Sequence, residues 1–143
     1  MLVRTQSERI VEYWDMIRHA LIEGMPSMSA KVDVEKVAIN ILELAQAGAV
    51  DIWMLGDNGK LYAIMTTVPT YDAISGTRAL IVYSLYGYRL TPTELWQEAF
   101  ETLSVYAASI GCQNISAFTD TKAVVSIAKK LNFSIINFIT KEV

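Results

Sequence analysis

The sequence predicts an α/β (α+β) protein in which helices flank one mixed β-sheet, and three observations support this class. Two segments with helical periodicity come first, a strand–turn–strand pattern follows, and strands then alternate with helices. The element order is (β)ααβββαβαβ, where the parentheses mark a short first strand. A hairpin that continues into alternating helices and strands gives a mixed sheet with helices on its faces.

The N-terminal third is predicted to contain a short strand and two helices. Met1–Arg4 is the strand, and Ser7 is expected to cap a first helix that ends at Gly24. Residues 25–31 are expected to form a loop, and residues 33–48 a second helix that opens at its aspartate and stops at its glycine. The buried positions of the first helix recur at helical spacing and are Ile10, Trp14, Ile17 and Leu21.

The middle of the chain has the residue pattern of β-strands. Val50–Leu55 and Leu61–Val68 are separated by Gly56-Asp57-Asn58-Gly59, which predicts a tight hairpin. Residues 70–77 are expected to form a second connection. Ala79–Tyr86 is apolar almost throughout, so it is predicted to be a central strand of the sheet.

The C-terminal part is predicted to alternate helices and strands. Thr91-Pro92-Thr93-Glu94 opens a long helix, with Thr91 and Glu94 as a capping box and Pro92 at the first helical position. Asp120 is expected to cap a later short helix. The remaining elements are a helix end at Gly111, a strand at Ile115–Thr119, a helix at Thr121–Leu131 and a final strand at Phe133–Ile139.

Length, charge and composition limit the classes of function. The 143 residues fit one domain, residues 1–143, and the net charge of -3 without a basic stripe argues against nucleic-acid binding. Cys112 and His19 are single residues of their types, so neither a disulfide nor a metal site is expected. No apolar run approaches the roughly 20 residues that span a bilayer. A soluble, cytoplasmic protein is expected, and its 52% hydrophobic content leaves room for a homo-oligomer surface.

Two motifs stand near the end of the chain: Ala107-Ala108-Ser109-Ile110-Gly111-Cys112, before a strand, and Lys129-Lys130-Leu131-Asn132-Phe133, after a short helix. These motifs resemble those of the GCN5-related N-acetyltransferase (GNAT) superfamily. Asn132 stands where the family usually has glycine, and asparagine is the next-best residue for a left-handed helix end. The resemblance covers residues 49–143 and, in element order only, residues 1–48. It implies a mostly antiparallel sheet of about five to seven strands.

The resemblance also implies that acetyl-CoA binds along one strand and the loop after it. Pantetheine would pair with the backbone of Leu80–Tyr86, and the loop Gly87–Pro92 would meet the pyrophosphate at a helix N-terminus. The loop departs from the family pattern (Q/R)-x-x-G-x-(G/A) at its first position and at both small-residue positions. The predicted capping box would also occupy helix amides that a phosphate needs. The candidate cofactor-binding residues are Val82, Tyr83, Ser84, Tyr88, Arg89, Leu90, Thr91 and Thr93.

Catalytic residues are harder to assign from the resemblance. The family's tyrosine acid aligns with Ala128, and its preceding asparagine with Thr121. Tyr86 and Asp72, expected to lie together near the end of the central strand, are the remaining candidates for an acid or a base. The alternative for the tyrosines of this region is packing or an interface. Glu12, Asp15 and Glu23 are expected on a solvated helix face, and to matter only if that helix borders a cleft that receives a basic amine.

Two functions of different classes follow. The first is an acyl-CoA-dependent N-acetyltransferase that uses acetyl-CoA, needs no metal and acts on a small amine or a protein amine. The second is a non-catalytic GNAT-fold component for binding or assembly, phage-encoded or virion-associated. Neither function is expected to involve nucleic acid or a membrane.

Overall fold

The computed structural model describes residues 1–25, 32–119 and 121–143, in which five strands and five helices are formed. The predicted cap at Asp120 and residues 26–31 of the predicted loop lie outside these ranges. In chain order the elements are β1 (Leu2–Arg4), α1 (Ser7–Glu12), α2 (Trp14–Glu23), α3 (Val34–Gln46), β2 (Asp51–Asp57), β3 (Lys60–Asp72), β4 (Thr77–Gly87), α4 (Thr93–Ser109), β5 (Asn114–Ala117) and α5 (Lys122–Lys130).

The five strands form one sheet in the order β1-β2-β3-β4-β5. The pairs β1–β2, β2–β3 and β3–β4 are antiparallel, and β5 is parallel to β4. A mixed, mostly antiparallel sheet flanked by helices is therefore confirmed. β4 is an interior strand, as its apolar sequence predicted, although β3 is the middle strand of the five.

Two hairpins connect the antiparallel strands. In the first, which confirms the predicted tight hairpin, Asp57 is opposite Lys60, and Asn58 and Gly59 both have positive φ (49° and 73°), the geometry of a type I′ turn. The second hairpin is longer than expected, because β3 and β4 extend to Asp72 and from Thr77. The predicted connection at 70–77 is thus shortened to residues 73–76.

Side chains of the sheet alternate between two hydrophobic clusters on its opposite faces. On β3, Met65 belongs to the cluster under α4, whereas Ile64 belongs to the cluster covered by α1, α2 and α3. We refer to these sides as the α4 face and the α2 face. Leu103 of α4 is buried in the first cluster, and Ile17 and Leu21 of α2 are buried in the second. α5 adds partly buried side chains to the α4 face.

The first predicted helix is two helices in the structure. Tyr13 interrupts it, because its backbone leaves the helical region (φ -106°, ψ 24°). The prediction that Ser7 caps the helix is wrong: Gln6 occupies the N-cap position in an extended conformation, and Ser7 is already helical. The predicted buried face is confirmed at Ile10, Ile17 and Leu21. The predicted start of α3 is also confirmed, since Asp33 accepts hydrogen bonds from two amides of its first turn.

The capping box predicted at the start of α4 does not form. Pro92 is extended (ψ 144°) and occupies the N-cap position, so the helix begins at Thr93 rather than at Pro92. The Thr91 hydroxyl donates to the Arg89 carbonyl (3.3 Å) and does not accept from the helix. The first amides of α4 therefore lack the side-chain cap that the sequence predicted for them.

The final strand predicted at Phe133–Ile139 is wrong, because these residues are irregular in the structure. α5 ends as predicted, with Asn132 in the left-handed region (φ 64°). The ring of Phe133 then contacts the ring of Phe100 (5.2 Å between centroids), and Phe138 contacts Phe118 (5.1 Å). The segment is held by these aromatic contacts and not by a backbone ladder with β5.

A polar cluster joins α4 to the edge of the sheet. The Tyr106 hydroxyl donates to the Asp51 carboxylate, which also pairs with Arg4 at 3.8 Å. The Arg4 guanidinium lies 5.4 Å from the centroid of the Tyr106 ring. Burial, followed by the hydrogen bond to Asp51, raises the pKa of Tyr106 above its ordinary value of 10.0.

Tyr106→Phe is expected to lower the free energy of unfolding by about 1 kcal/mol near neutral pH, because the hydrogen bond to Asp51 is lost. The pKa of Tyr106 is raised in the folded state, so its contribution is complete below about pH 10 and is lost as pH rises through the folded-state pKa. Urea unfolding of the wild type and of Tyr106→Phe at about pH 8 and about pH 10.5 measures the free energy of unfolding at each pH. The wild type should lose more stability over that interval than the variant, whereas equal losses would contradict the prediction.

Candidate active-site cleft

β4 and β5 separate part-way along β4. They are paired as far as Val82, and β4 then continues to Gly87 with no described strand beside it on that side. A β-bulge lies at this point: Val82 and Ser84 are opposite consecutive residues of β3, which leaves Tyr83 as the extra residue. A bulge bends its strand and increases the local twist. The bulge therefore accounts for the opening between the two strands.

The opening leads into a cavity of about 560 Å³, which we call the cleft. This volume is within the range of roughly 300–1,000 Å³ that is usual for small-molecule sites. Val82 and Leu85 line it from the α4 face, and Tyr83 lines it from the α2 face. Because side chains of both faces line the cleft, it passes through the plane of the sheet.

The end of α2 closes one side of the cleft. The Gly24 carbonyl accepts a hydrogen bond from the Leu85 amide (3.1 Å), and a Cβ atom on Gly24 would lie 2.8 Å from the carbonyl carbon and oxygen of Leu85. Glycine is thus the residue that allows α2 to approach β4 so closely. Glu23 and Met25, on either side of Gly24, both line the cleft. The helix that carries Glu23 does border a cleft.

The loop between β4 and α4 presents groups that favour an anion. Thr93 and Glu94 begin α4, and no side chain caps their amides. Arg89 is exposed, with its guanidinium 5.5 Å from the centroid of the Tyr62 ring. Trp96, in the next turn of α4, lines the cleft. The positive end of α4 therefore lies beside the cleft, whereas the Arg89 guanidinium lies over Tyr62 of β3, on the side of β4 away from β5.

Three of the eight predicted cofactor-binding residues, Val82, Tyr83 and Ser84, line the cleft. The Ser84 hydroxyl is already engaged, because it donates to Thr66 Oγ1 at 2.9 Å in a buried position. The others, except Tyr88, lie in the loop or in the first turn of α4: Arg89, Leu90, Thr91 and Thr93.

Tyr88 and Tyr86 are packed in the core of the α2 face and do not line the cleft. The Tyr88 hydroxyl is buried and has no hydrogen-bond partner among the described residues, so it does not reach towards α4. Burial raises the pKa of Tyr88, and the neighbouring Tyr86 adds to the effect. The Tyr86 ring contacts Tyr88 (4.9 Å) and His19 (5.6 Å) edge-on. This arrangement agrees with the packing alternative for these tyrosines.

Asp72 is far from Tyr86, so the expected proximity of these two residues is wrong. Asp72 is opposite Thr77, at the end of the β3–β4 hairpin that points away from the bulge. A strand advances about 3.3 Å per residue, which separates the positions of Thr77 and Tyr86 by roughly 30 Å. The Ile74 amide, followed by the hydrogen bonds from Ser75, lowers the pKa of the Asp72 carboxyl. The role of Asp72 in the structure is to order this turn.

Several residues of the cleft were not identified from the sequence. They are distant in the chain and have only ordinary packing patterns, so no local motif connects them. These residues include Trp96, Phe100, Phe118, Phe133 and Phe138.

Within residues 1–25, 32–119 and 121–143, no three histidine, cysteine, aspartate or glutamate side chains come together as metal ligands. No helix in the same ranges is long and apolar enough to cross a bilayer.

Comparison with known proteins gives matches in structure and not in sequence. No family model and no curated protein sequence matches the chain. A structure described as a predicted acetyltransferase with acetyl-CoA from Clostridium acetobutylicum has a TM-score of 0.68 and 14% identity, covering 99% of this chain and 94% of its own. Glucosamine-6-phosphate N-acetyltransferase from Arabidopsis thaliana has a TM-score of 0.64 and 13% identity, covering 100% and 97%. An aminoglycoside acetyltransferase from an uncultured soil metagenomic sample, in complex with sisomicin, has a TM-score of 0.66 and 12% identity, covering 99% and 95%.

The fold and the cleft define a class of α/β protein in which the mixed sheet opens between β4 and the parallel edge strand β5. The chain has the fold of the GCN5-related N-acetyltransferases, so the resemblance of the two sequence motifs is confirmed at the level of the fold. At these identities the likeness concerns the fold alone.

Proposed function

We propose that the protein is an N-acetyltransferase that moves the acetyl group of acetyl-CoA to an amine. The observation that carries this proposal is the opening between β4 and β5 beside the uncapped start of α4. An extended backbone edge suits an amide-containing arm, and free helix amides suit phosphates. The similar structures are named as acetyltransferases, and one of them is described with acetyl-CoA.

The described residues fit this cofactor at both ends. The backbone of Val82–Tyr86 would pair with pantetheine, and Arg89 and Thr91, with the amides of Thr93 and Glu94, would face the phosphates. The Leu85 amide is bonded to Gly24, so pairing there requires release of that hydrogen bond. Acetyl-CoA would supply an acyl group that is activated as a thioester.

Proton transfer in the cleft is assigned to a different residue from those that the sequence suggested. Glu23 and Tyr83 are the titratable side chains among the described residues that line it. An amine must lose a proton to act as a nucleophile, and the leaving thiolate gains one. A carboxylate accepts a proton and a phenol donates one, so Tyr83 replaces Tyr86 and Asp72 as the candidate acid. Ala128 lines the cleft but carries no proton to donate.

Acetyl-CoA is expected to stabilise the folded protein. A dissociation constant of about 10 μM would add about 2.7 kcal/mol at about 1 mM ligand. That free energy corresponds to a rise in melting temperature of about 6–10 °C for a chain of this size. Leu90→Asp should remove more than half of the rise, because it adds a negative charge beside the phosphates at a side chain that is 97% exposed.

Ile74→Asp is the matched control for this experiment. Ile74 is 99% exposed in the turn at the far end of the β3–β4 hairpin, so the same change of charge should leave the full rise intact. Equal rises in Leu90→Asp and Ile74→Asp would place the phosphates elsewhere. A folded wild type that is not stabilised at all would contradict acetyl-CoA binding.

A non-catalytic role in assembly is the second candidate, and the segment after α5 favours it. Ile136 and Ile139 are 87% and 91% exposed in this segment, which has no charged residue from Leu131 to Thr140. Exposed apolar patches of this kind mark interaction surfaces. If the protein has this assembly role, the wild type should be a homo-oligomer and Ile136→Asp should be a monomer. Light scattering after size-exclusion chromatography measures both states.

A further inference from the structure

The cleft combines apolar walls with one charge. Among the described residues that line it, Glu23 is the only charged side chain, and the aromatic lining includes Trp96, Phe118 and Phe138. Glu23 is exposed, so its carboxylate is hydrated, and a cation in the cleft can pair with it while an apolar group covers the walls. A ligand that carries one positive charge on an apolar body therefore matches this lining.

Glu23 lies where two sources of negative potential coincide. It is the last residue of α2, where the helix carbonyls carry partial negative charge, and the last turn of α2 contains no basic residue. The Glu23 side chain is exposed and forms no ion pair within the described part of the chain. Arg18 of the same helix pairs with Glu35, and the His19 ring packs against Tyr86. The Glu23 carboxylate is thus available to a cation.

The two sides of the cleft differ in charge. The start of α4 provides positive potential on one side, and Glu23 and the end of α2 provide negative potential on the other. A phosphate-bearing donor is attracted to the first side and a cationic acceptor to the second. The cleft passes through the sheet, so both molecules can enter it from opposite faces.

We propose that the acceptor is a hydrophobic primary amine with a single positive charge, whose ammonium group pairs with Glu23 while its apolar body packs on the aromatic walls. This proposal rests on the proposed acetyl transfer, because the same cleft must receive the donor. A polyamine or an aminoglycoside would bring further cations that have no carboxylate partner. A sugar phosphate would bring negative charge towards Glu23.

Binding of phenethylamine to the full chain tests the proposal, by calorimetry with and without saturating coenzyme A. Phenethylamine should bind about tenfold or more tightly than the uncharged phenethyl alcohol, because the alcohol can donate a hydrogen bond to the carboxylate but lacks the charge attraction of the ammonium group. Glu23→Gln should abolish this preference and leave the affinities for phenethyl alcohol and acetyl-CoA unchanged. Glu43→Gln, on the exposed face of α3, is the matched control and should behave as wild type.

Three results would overturn the acceptor assignment: no binding of phenethylamine in either condition, equal phenethylamine affinities of the wild type and Glu23→Gln, or tighter binding of spermidine or glucosamine 6-phosphate. Acetyl-CoA binding is measured separately on the same proteins. If Glu23-dependent amine binding persists without any acetyl-CoA binding, the proposed acetyl transfer fails and the amine site stands. If acetyl-CoA binds and the affinity for the amine does not depend on Glu23, the acceptor assignment fails and the proposed acetyl transfer stands.

Discussion

Replacing Gly24 by alanine is expected to lower the free energy of unfolding by about 2 kcal/mol, a typical effect of overpacking. The new Cβ would lie 2.8 Å from the carbonyl carbon and oxygen of Leu85 and 2.9 Å from the carbonyl oxygen of Ala20. All of these are backbone atoms, so relief requires α2 to move away from β4. The hydrogen bond between Gly24 and Leu85 would then be weakened. Thermal unfolding should show a fall in melting temperature of about 4–8 °C.

Gly87→Ala is the matched control for this substitution. Gly87 lies on the same strand as Leu85, a Cβ atom there would have no neighbour within 4 Å, and its φ is outside the left-handed region. The change should therefore stay within about 0.5 kcal/mol of wild type. Equal stabilities of Gly24→Ala and Gly87→Ala would show that α2 does not depend on close contact with β4.

Leu103→Ala is expected to lower the free energy of unfolding by about 3 kcal/mol, the usual effect of removing a buried leucine side chain and leaving a cavity. Leu103 is 0% exposed, and it packs in the cluster that joins α4 to the sheet. Because α4 also begins beside the cleft, loosening of this helix should lower the affinity of any ligand that binds at its N-terminus. Urea unfolding gives the change in stability directly.

Val105→Ala provides the comparison on the same helix. Val105 is 73% exposed and faces away from the sheet, so its truncation should change stability by less than about 0.5 kcal/mol. A loss in Leu103→Ala no larger than that in Val105→Ala would contradict the assignment of the α4 face.

The predictions that were confirmed depend on neighbouring residues in the chain. The tight hairpin at Asn58 and Gly59 follows from the residues themselves, because both adopt positive φ readily. The left-handed end of α5 at Asn132 has the same origin. The alternation on β3 and the buried positions of α2 follow from the periods of strand and helix.

The predictions that were wrong concern choices between local alternatives. Thr91 has the composition of a cap, yet Pro92 takes the N-cap position because its backbone is extended there. Phe133–Ile139 has the composition of a strand, yet its aromatic rings pack at the cleft and leave the ladder unformed. For the C-terminal segment, tertiary packing selects one of two conformations that the local sequence permits.

The sequence by itself determined the class of fold, most of its elements and the faces that they bury, because these depend on periodicity and turn chemistry. It did not determine the break of the first helix at Tyr13 or the irregular conformation of Phe133–Ile139. Only the tertiary structure decided the composition of the cleft. Glu23 at the end of α2, Tyr83 at the bulge and Phe138 in the C-terminal segment line one cavity. Tyr86 and Asp72 lie outside this cavity. Such a site depends on where a bulge opens the sheet and on how closely a glycine lets a helix approach, and these are properties of long-range packing.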